Sequence, residues 1–195
     1  MALNMKVVVP IVIAVVVVGA AAFVLFPGIS GGPKEKVFII VGYHWGYALY
    51  DSNYNEIDQI VVKKGDTVKI YFISARSLSE EFYSKLEARA INNGVGGLSG
   101  DDLRAKIEEA ISAGQIDHGL QITAFNVFVA TNTKNFSGKA KSLEEFFKTE
   151  NKQAIEDQAV VFKADKVGTF DIICYVVCGY GHSFMVRNDA IKVEG

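Results

Sequence analysis

Proline is missing from most of this chain: its three copies, Pro10, Pro27 and Pro33, all lie in the first 33 of 195 residues. Other informative residues are also scarce, with two cysteines, three histidines, three methionines and one tryptophan in total. Basic charge is not in excess, because 20 Lys+Arg stand against 22 Asp+Glu. That balance, with no basic patch, excludes the electrostatic footprint of a nucleic-acid-binding protein, so no nucleic-acid partner is expected. A disordered tail is excluded by the opposite measure. The whole chain has 50% hydrophobic and 22% charged residues, and the part after Pro33 reads as a compact folded domain.

Charge is wholly absent from one stretch. Val7–Phe26 is an uncharged run of twenty residues rich in valine and alanine, with Lys6 before it and Pro27-Gly28 after it. As a helix it is long enough to cross a hydrocarbon core, and residues 1–27 are expected to be a single membrane anchor. The competing reading is a cleaved signal peptide, with small residues at Gly19–Ala22 as a cleavage site. The run exceeds the roughly 7–15 apolar residues of a signal h-region. Lys6 on one side and Lys34 and Lys36 on the other give the positive-inside rule little to decide on. An N-terminal anchor with a bulky C-terminal domain usually leaves that domain outside, so the domain is expected on the extracytoplasmic side of the cell membrane. Residues 28–35 read as a linker, glycine-rich at Gly28-Ile-Ser-Gly-Gly-Pro33.

Residues 36–195 alternate between strand and helix signals. Residues 36–50 are β-branched and aromatic and predict one or two strands, and 57–62 predict another. Over 67–73 the alternation is strict, with Val68, Ile70 and Phe72 on one face and Thr67, Lys69 and Tyr71 on the other. The period then changes. Leu78, Phe82, Leu86 and Ala90 lie at helical spacing with Ser77 or Ser79 as cap, and Leu103, Ile107, Ala110 and Ile111 form a second stripe capped by Asp101. Strand character returns over 119–131, Ser142-Leu-Glu-Glu145 has the form of a capping box, and strands are expected at 158–163, 169–175 and near 189–193. About seven strands with helical insertions near 76–114 and 137–157 make a mainly β Greek-key sandwich.

The scarce residues gather in one place. Cys174-Tyr-Val-Val-Cys178-Gly-Tyr-Gly-His182-Ser-Phe-Met185 holds both cysteines, one histidine and one methionine within twelve residues. Gly179 and Gly181 let the backbone turn tightly enough for these side chains to converge. Thiolate and thioether select soft ions such as copper(I), and imidazole suits copper in either oxidation state. A disulfide between Cys174 and Cys178 leaves the His and Met unexplained, and zinc gains little from a thioether. One upstream ligand is wanted, for which the chain offers His44 and His118. Two thiolates four residues apart can bridge two copper ions.

The run Cys174-x-x-x-Cys178-Gly-x-Gly-His182-x-x-Met185 resembles the binuclear CuA motif in subunit II of haem–copper (cytochrome c) oxidases, nearest to the single-anchor subunits of the B-type branch. Lys166-Val-Gly-Thr-Phe-Asp-Ile-Ile-Cys174 is similar to that family's strand leading into the loop. Asp117-His118-Gly-Leu resembles its turn carrying the upstream ligand, and Gly42-Tyr-His-Trp-Gly-Tyr47 its aromatic first strand. The resemblance covers the anchor and roughly residues 36–73, 115–132 and 158–185, and omits the insertions. It implies a cupredoxin-like sandwich in which Cys174 and Cys178 bridge two coppers. His118 and Met185 would complete one copper, and His182 with the Val176 backbone carbonyl the other. Trp45 would be a point of electron entry, or else a packed core residue. The implied partners are a haem-bearing oxidase subunit I as acceptor and a c-type cytochrome or small copper protein as donor. Val176 departs from the family, which usually has Glu or Gln there. The carbonyl ligand survives that change, but the side chain that helps connect the site to the catalytic subunit does not.

Overall fold

A computed structural model describes residues 35–195. The anchor expected over residues 1–27 and nearly all of the linker lie outside the described residues, and among those described no helix is long and apolar enough to cross a membrane. The first strand begins at Glu35.

Among the described residues, ten strands form two five-stranded sheets. The first has the order β3-β2-β1-β5-β8 and the second β4-β10-β9-β6-β7. In chain order they are β1 (Glu35–Tyr43), β2 (Gly46–Asp51), β3 (Glu56–Ile57), β4 (Ile60–Lys63), β5 (Thr67–Ser74), β6 (Gly119–Ile122), β7 (Val127–Ala130), β8 (Ala159–Lys163), β9 (Gly168–Ile173) and β10 (Val186–Glu194). β1 runs parallel to β5 and β10 parallel to β4, while the remaining pairs are antiparallel. Such parallel neighbours need crossovers between sheets rather than hairpins.

Three details differ from the expected elements. Residues 57–62 form no single strand, because the chain leaves one sheet after Ile57 and joins the other at Ile60. The segment 119–131 is a hairpin of β6 and β7, broken by a 3-10 turn at Thr123–Phe125 that closes on Asn126 in the left-handed conformation. Asparagine tolerates that conformation better than most residues. Asp101 does not cap the second helix; Ser99 occupies the cap position, and Asp101 sits in the first turn, where its charge favours the helix dipole.

Alternate residues of the first sheet face two different cores. Phe38 and Ile40 of β1, Tyr47 and Leu49 of β2 and Val68, Ile70 and Phe72 of β5 meet Leu120, Ile122, Ile172, Ile191 and Val193 of the other sheet. The alternate residues are buried as well. Ile39, Val41, Ala48, Tyr50 and Ile73 form a second core with Leu78, Leu86, Leu143, Phe146 and Ile155. These come from the helical segments, whose helices are α1 (Glu80–Asn93), α2 (Gly100–Ser112), α3 (Leu143–Thr149) and α4 (Lys152–Glu156). The helices therefore clothe the outer face of the first sheet, which explains the near-continuous apolar run of β1. α3 starts with half of the expected capping box: the Ser142 hydroxyl accepts from the Glu145 N–H, while the Glu145 carboxylate accepts from the N–H of Lys141 rather than that of Ser142.

α2 differs from the other helices. Its buried residues Leu103, Ile107 and Ala110 share the inter-sheet core with Trp45, Cys178 and Met185. The helix thus packs at the end of the sandwich where the cysteine loop lies.

Candidate metal centre

β9 ends at Ile173, and the chain folds over the end of the sandwich before returning as β10. Cys174 and Cys178, both free thiols, face each other with their sulfurs 3.8 Å apart. The Met185 sulfur lies 3.8 Å from Cys178 Sγ, and His182 Nδ1 lies 4.0 Å from the same atom. The Val176 carbonyl oxygen is 3.2 Å from Cys174 Sγ. His118 arrives from the turn before β6, and its ring joins the two sulfurs in one group whose donor atoms lie within 4.8 Å of one another. Two turns of chain some 56 residues apart in sequence are thus brought together by β6 pairing beside β9.

Several devices fix this arrangement. The His118 backbone N–H donates to Thr131 Oγ1, the Thr131 hydroxyl donates to Asp117, and Asp117 also accepts from the Thr133 N–H. Asp117 is accordingly a turn residue that holds the His118 backbone. Gly119 must lack a side chain, since a β-carbon there would stand 2.9 Å from the backbone nitrogens of Tyr175 and Val176. Its N–H points at Cys174 Sγ from 3.3 Å, and its carbonyl accepts from the Tyr47 hydroxyl at 2.7 Å. Trp45 Nε1 donates to the Cys178 carbonyl at 2.6 Å.

The histidines differ sharply. His118 is fully buried, and both of its ring nitrogens lack a hydrogen-bond partner among the described residues. Burying such a group unpaired costs about 1–3 kcal/mol, a cost that a metal ligand recovers when the ion binds. Burial also holds the His118 imidazole below its ordinary pKa, so it stays neutral and able to ligate. His44 is equally buried but satisfied: Nδ1 meets Glu87 Oε1 at 3.2 Å, and Nε2 donates to the Gln115 carbonyl at 2.9 Å. Of the two upstream candidates, only His118 has a nitrogen to spare. His182 is partly exposed and lies in a short 3-10 turn with Ser183 and Phe184.

The thiols are also unequal. The hydrogen bond between the two thiols, aided by the Gly119 N–H, holds Cys174 well below the usual thiol range. The same bond to Cys174, together with burial, pushes Cys178 up. A soft cation held between the sulfurs would take both as thiolate, the ligating form. Two sulfurs, two imidazoles, a thioether and a carbonyl fit copper better than zinc or a hard cation.

Trp45, the aromatic expected near the site, is only 4% exposed. It packs against the loop, and its ring meets that of Tyr180 edge-on with 5.8 Å between centroids. Three contributors to the site gave no individual sequence signal as such: Tyr47, Gln115 and Glu87. Each acts through a contact with a residue far away in the chain, which periodicity does not reveal.

No family model matches this chain, and no curated protein matches it. Solved structures do. The chain is similar to the periplasmic domain of subunit II of cytochrome oxidase (CoxB) of Bradyrhizobium japonicum, at 15% identity, over 81% of this chain and 83% of that one, with a TM-score of 0.41. It is similar to a chain from a haem–copper terminal oxidase dimer determined by cryo-EM, at 14% identity, over 97% of each chain, with a TM-score of 0.42. A third likeness is to the mixed-disulfide intermediate between a thioredoxin-like protein and subunit II of cytochrome c oxidase, at 14% identity, over 86% and 87% of the chains, with a TM-score of 0.40. These are likenesses at low identity, and the ligand chemistry rests on the side chains themselves.

Proposed function

We propose that this protein is a membrane-tethered electron carrier whose C-terminal domain holds two copper ions in a CuA-type centre. The observation that carries the reading is His118: a fully buried imidazole with two unpartnered nitrogens, set beside two thiols whose sulfurs are 3.8 Å apart. Cys174 and Cys178 would bridge the ions. His118 and Met185 would complete one copper, and His182 with the Val176 carbonyl the other.

A thiolate-bridged copper pair supplies one-electron uptake shared between two metals. The chain's own residues supply the rest. The Trp45 and Tyr47 hydrogen bonds to the carbonyls of Cys178 and Gly119 hold the ligands in one geometry, so little rearrangement accompanies electron transfer. The buried cores exclude water from the His118 side, while His182 remains near the surface. Trp45, joined edge-on to the partly exposed Tyr180, is the route of electron entry in this reading.

In this reading the domain lies outside the cell membrane. It takes electrons from a c-type cytochrome or small copper protein and passes them to a haem-bearing oxidase subunit I. A second reading is favoured by one residue. Val176 carries no carboxylate or amide, so the centre could instead serve another reductase or act alone. A copper-delivery role fits less well, because delivery calls for a labile, exposed site and Cys178, Met185 and His118 are fully buried.

Copper loading of the full-length protein in detergent, followed by electron paramagnetic resonance, tests the centre. A delocalised pair gives the hyperfine pattern of two equivalent nuclei, whereas a four-line mononuclear spectrum at full loading sinks the proposal. Co-purification with a haem-bearing subunit separates the oxidase reading from the independent carrier.

A further inference from the structure

The first helical segment touches the metal loop at places where no ligand requires it. Ala110 of α2 fills the space beside Gly179: a β-carbon on Gly179 would stand 2.7 Å from Ala110 Cβ, and Gly179 has a φ of +98°. The turn between α1 and α2, closed by backbone bonds between Val95 and Leu98, lies against the two aromatic residues flanking His182. The Gly96 carbonyl accepts from the Tyr180 hydroxyl at 2.8 Å. A β-carbon on Gly96 would stand 2.4 Å from the Phe184 ring.

α1 reaches the other histidine. Glu87 is 7% exposed. Arg76 binds it bidentately, with Nη2 2.8 Å from each carboxylate oxygen and Nε at 3.0 Å. One of those oxygens also meets His44 Nδ1. The His44 ring packs edge-on against the His118 ring, with 5.1 Å between centroids, and its Nε2 grips the carbonyl of Gln115 on the path into His118. A helix that merely packed would place apolar residues here. A buried Arg–Glu pair stabilises a fold no better than hydrophobic residues of similar size, because both charges lose their water. Its placement behind a ligand histidine calls for another reason.

We propose that this insertion is the outer shell of the metal centre. His44, held by Glu87, and Tyr180, held by Gly96, are positioning residues that fix the ligand histidines His118 and His182. The inference rests on the copper reading above. Groups that orient ligands are worth about 10- to 100-fold in metal affinity, and the insertion supplies them here from outside the sandwich.

The test uses the full-length, copper-loaded protein and three variants: Tyr180→Phe, Glu87→Ala and Glu87→Gln. Hyperfine splitting and the rate of copper release to a chelator are measured, together with melting of the metal-free forms. Tyr180→Phe and Glu87→Ala should release copper roughly 10-fold faster with altered splitting. Glu87→Gln should restore most of the loss, since an amide can accept from or donate to His44 Nδ1 whichever tautomer is present. Wild-type spectra and release rates in both Tyr180→Phe and Glu87→Ala overturn the inference. So do losses that only track metal-free melting and are not rescued by glutamine. A mononuclear spectrum in the wild type would instead overturn the copper pair, with the release rates still deciding the role of the insertion.

Discussion

Trp45 occupies the space that a side chain at Gly181 would need: a β-carbon there would stand 2.2 Å from Trp45 Cδ2. The indole is buried and bonded to the Cys178 carbonyl, so it has nowhere to retreat. Gly181→Ala should therefore push the loop outward and move His182, its neighbour. Overpacking of this kind costs about 1–3 kcal/mol. Thermal melting should show the loss, and copper titration should show fewer than two ions bound per chain at wild-type loading conditions.

His118 sets stability against function. Its unpartnered ring nitrogens burden the metal-free fold, so His118→Leu should raise metal-free stability by about 1 kcal/mol through removal of buried unsatisfied polar atoms. The same variant should lose the bridged copper spectrum. Denaturant titration of metal-free protein, beside copper loading, checks both halves. A variant less stable than wild type would show that His118 is not under strain when unliganded.

Cys178→Ser tests the bridge. Serine is nearly isosteric, and the Trp45 bond goes to the backbone carbonyl, so the fold should persist. A hydroxyl cannot replace a bridging thiolate for a soft ion. The expected result is near-wild-type melting of the metal-free protein with at most one copper bound in a mononuclear spectrum.

The sandwich and the ligand loop were legible in the sequence for different reasons. β5 could be placed because one of its faces meets the core and the other is only partly covered, which leaves a period of two at Val68, Ile70 and Phe72. The loop could be placed because cysteine, histidine and methionine are rare here and its ligands are local. β1 carried less information, since burial on both faces erases the alternation. The sheet change between Ile57 and Ile60 and the hairpin turn at Asn126 are decided by pairing with distant strands. The same holds for Glu87: on a helix rich in glutamate it looks like one more solvated charge until the fold brings His44 and Arg76 to it.

Acid should loosen the edge of α1. Arg89 binds the Glu56 carboxylate through both terminal nitrogens, one at 2.9 Å, and the hydrogen bond from Arg89 holds Glu56 below its ordinary value of 4.5. Because the folded pKa is the lower one, the contribution is present above about pH 4.5 and lost as the pH falls through the folded value. Both groups are nearly half exposed, so it amounts to less than about 1 kcal/mol and shrinks in salt. Melting curves of wild type and Arg89→Ala between pH 3 and 7 should converge at the acid end and separate slightly above it.

Phe146 anchors the second core. It is fully buried between the outer face of the first sheet and the helices. Phe146→Ala should cost about 3–5 kcal/mol, measured by chemical denaturation, while copper in the surviving folded fraction keeps the wild-type spectrum.

The double-sided burial of β1 also limits how this protein can be simplified. Ile39, Val41, Ala48, Tyr50 and Ile73 have greasy side chains where a bare sandwich would show polar ones to water. Trimming the helices to leave a minimal copper domain would strip the covering from a continuous apolar sheet face and produce an aggregating fragment.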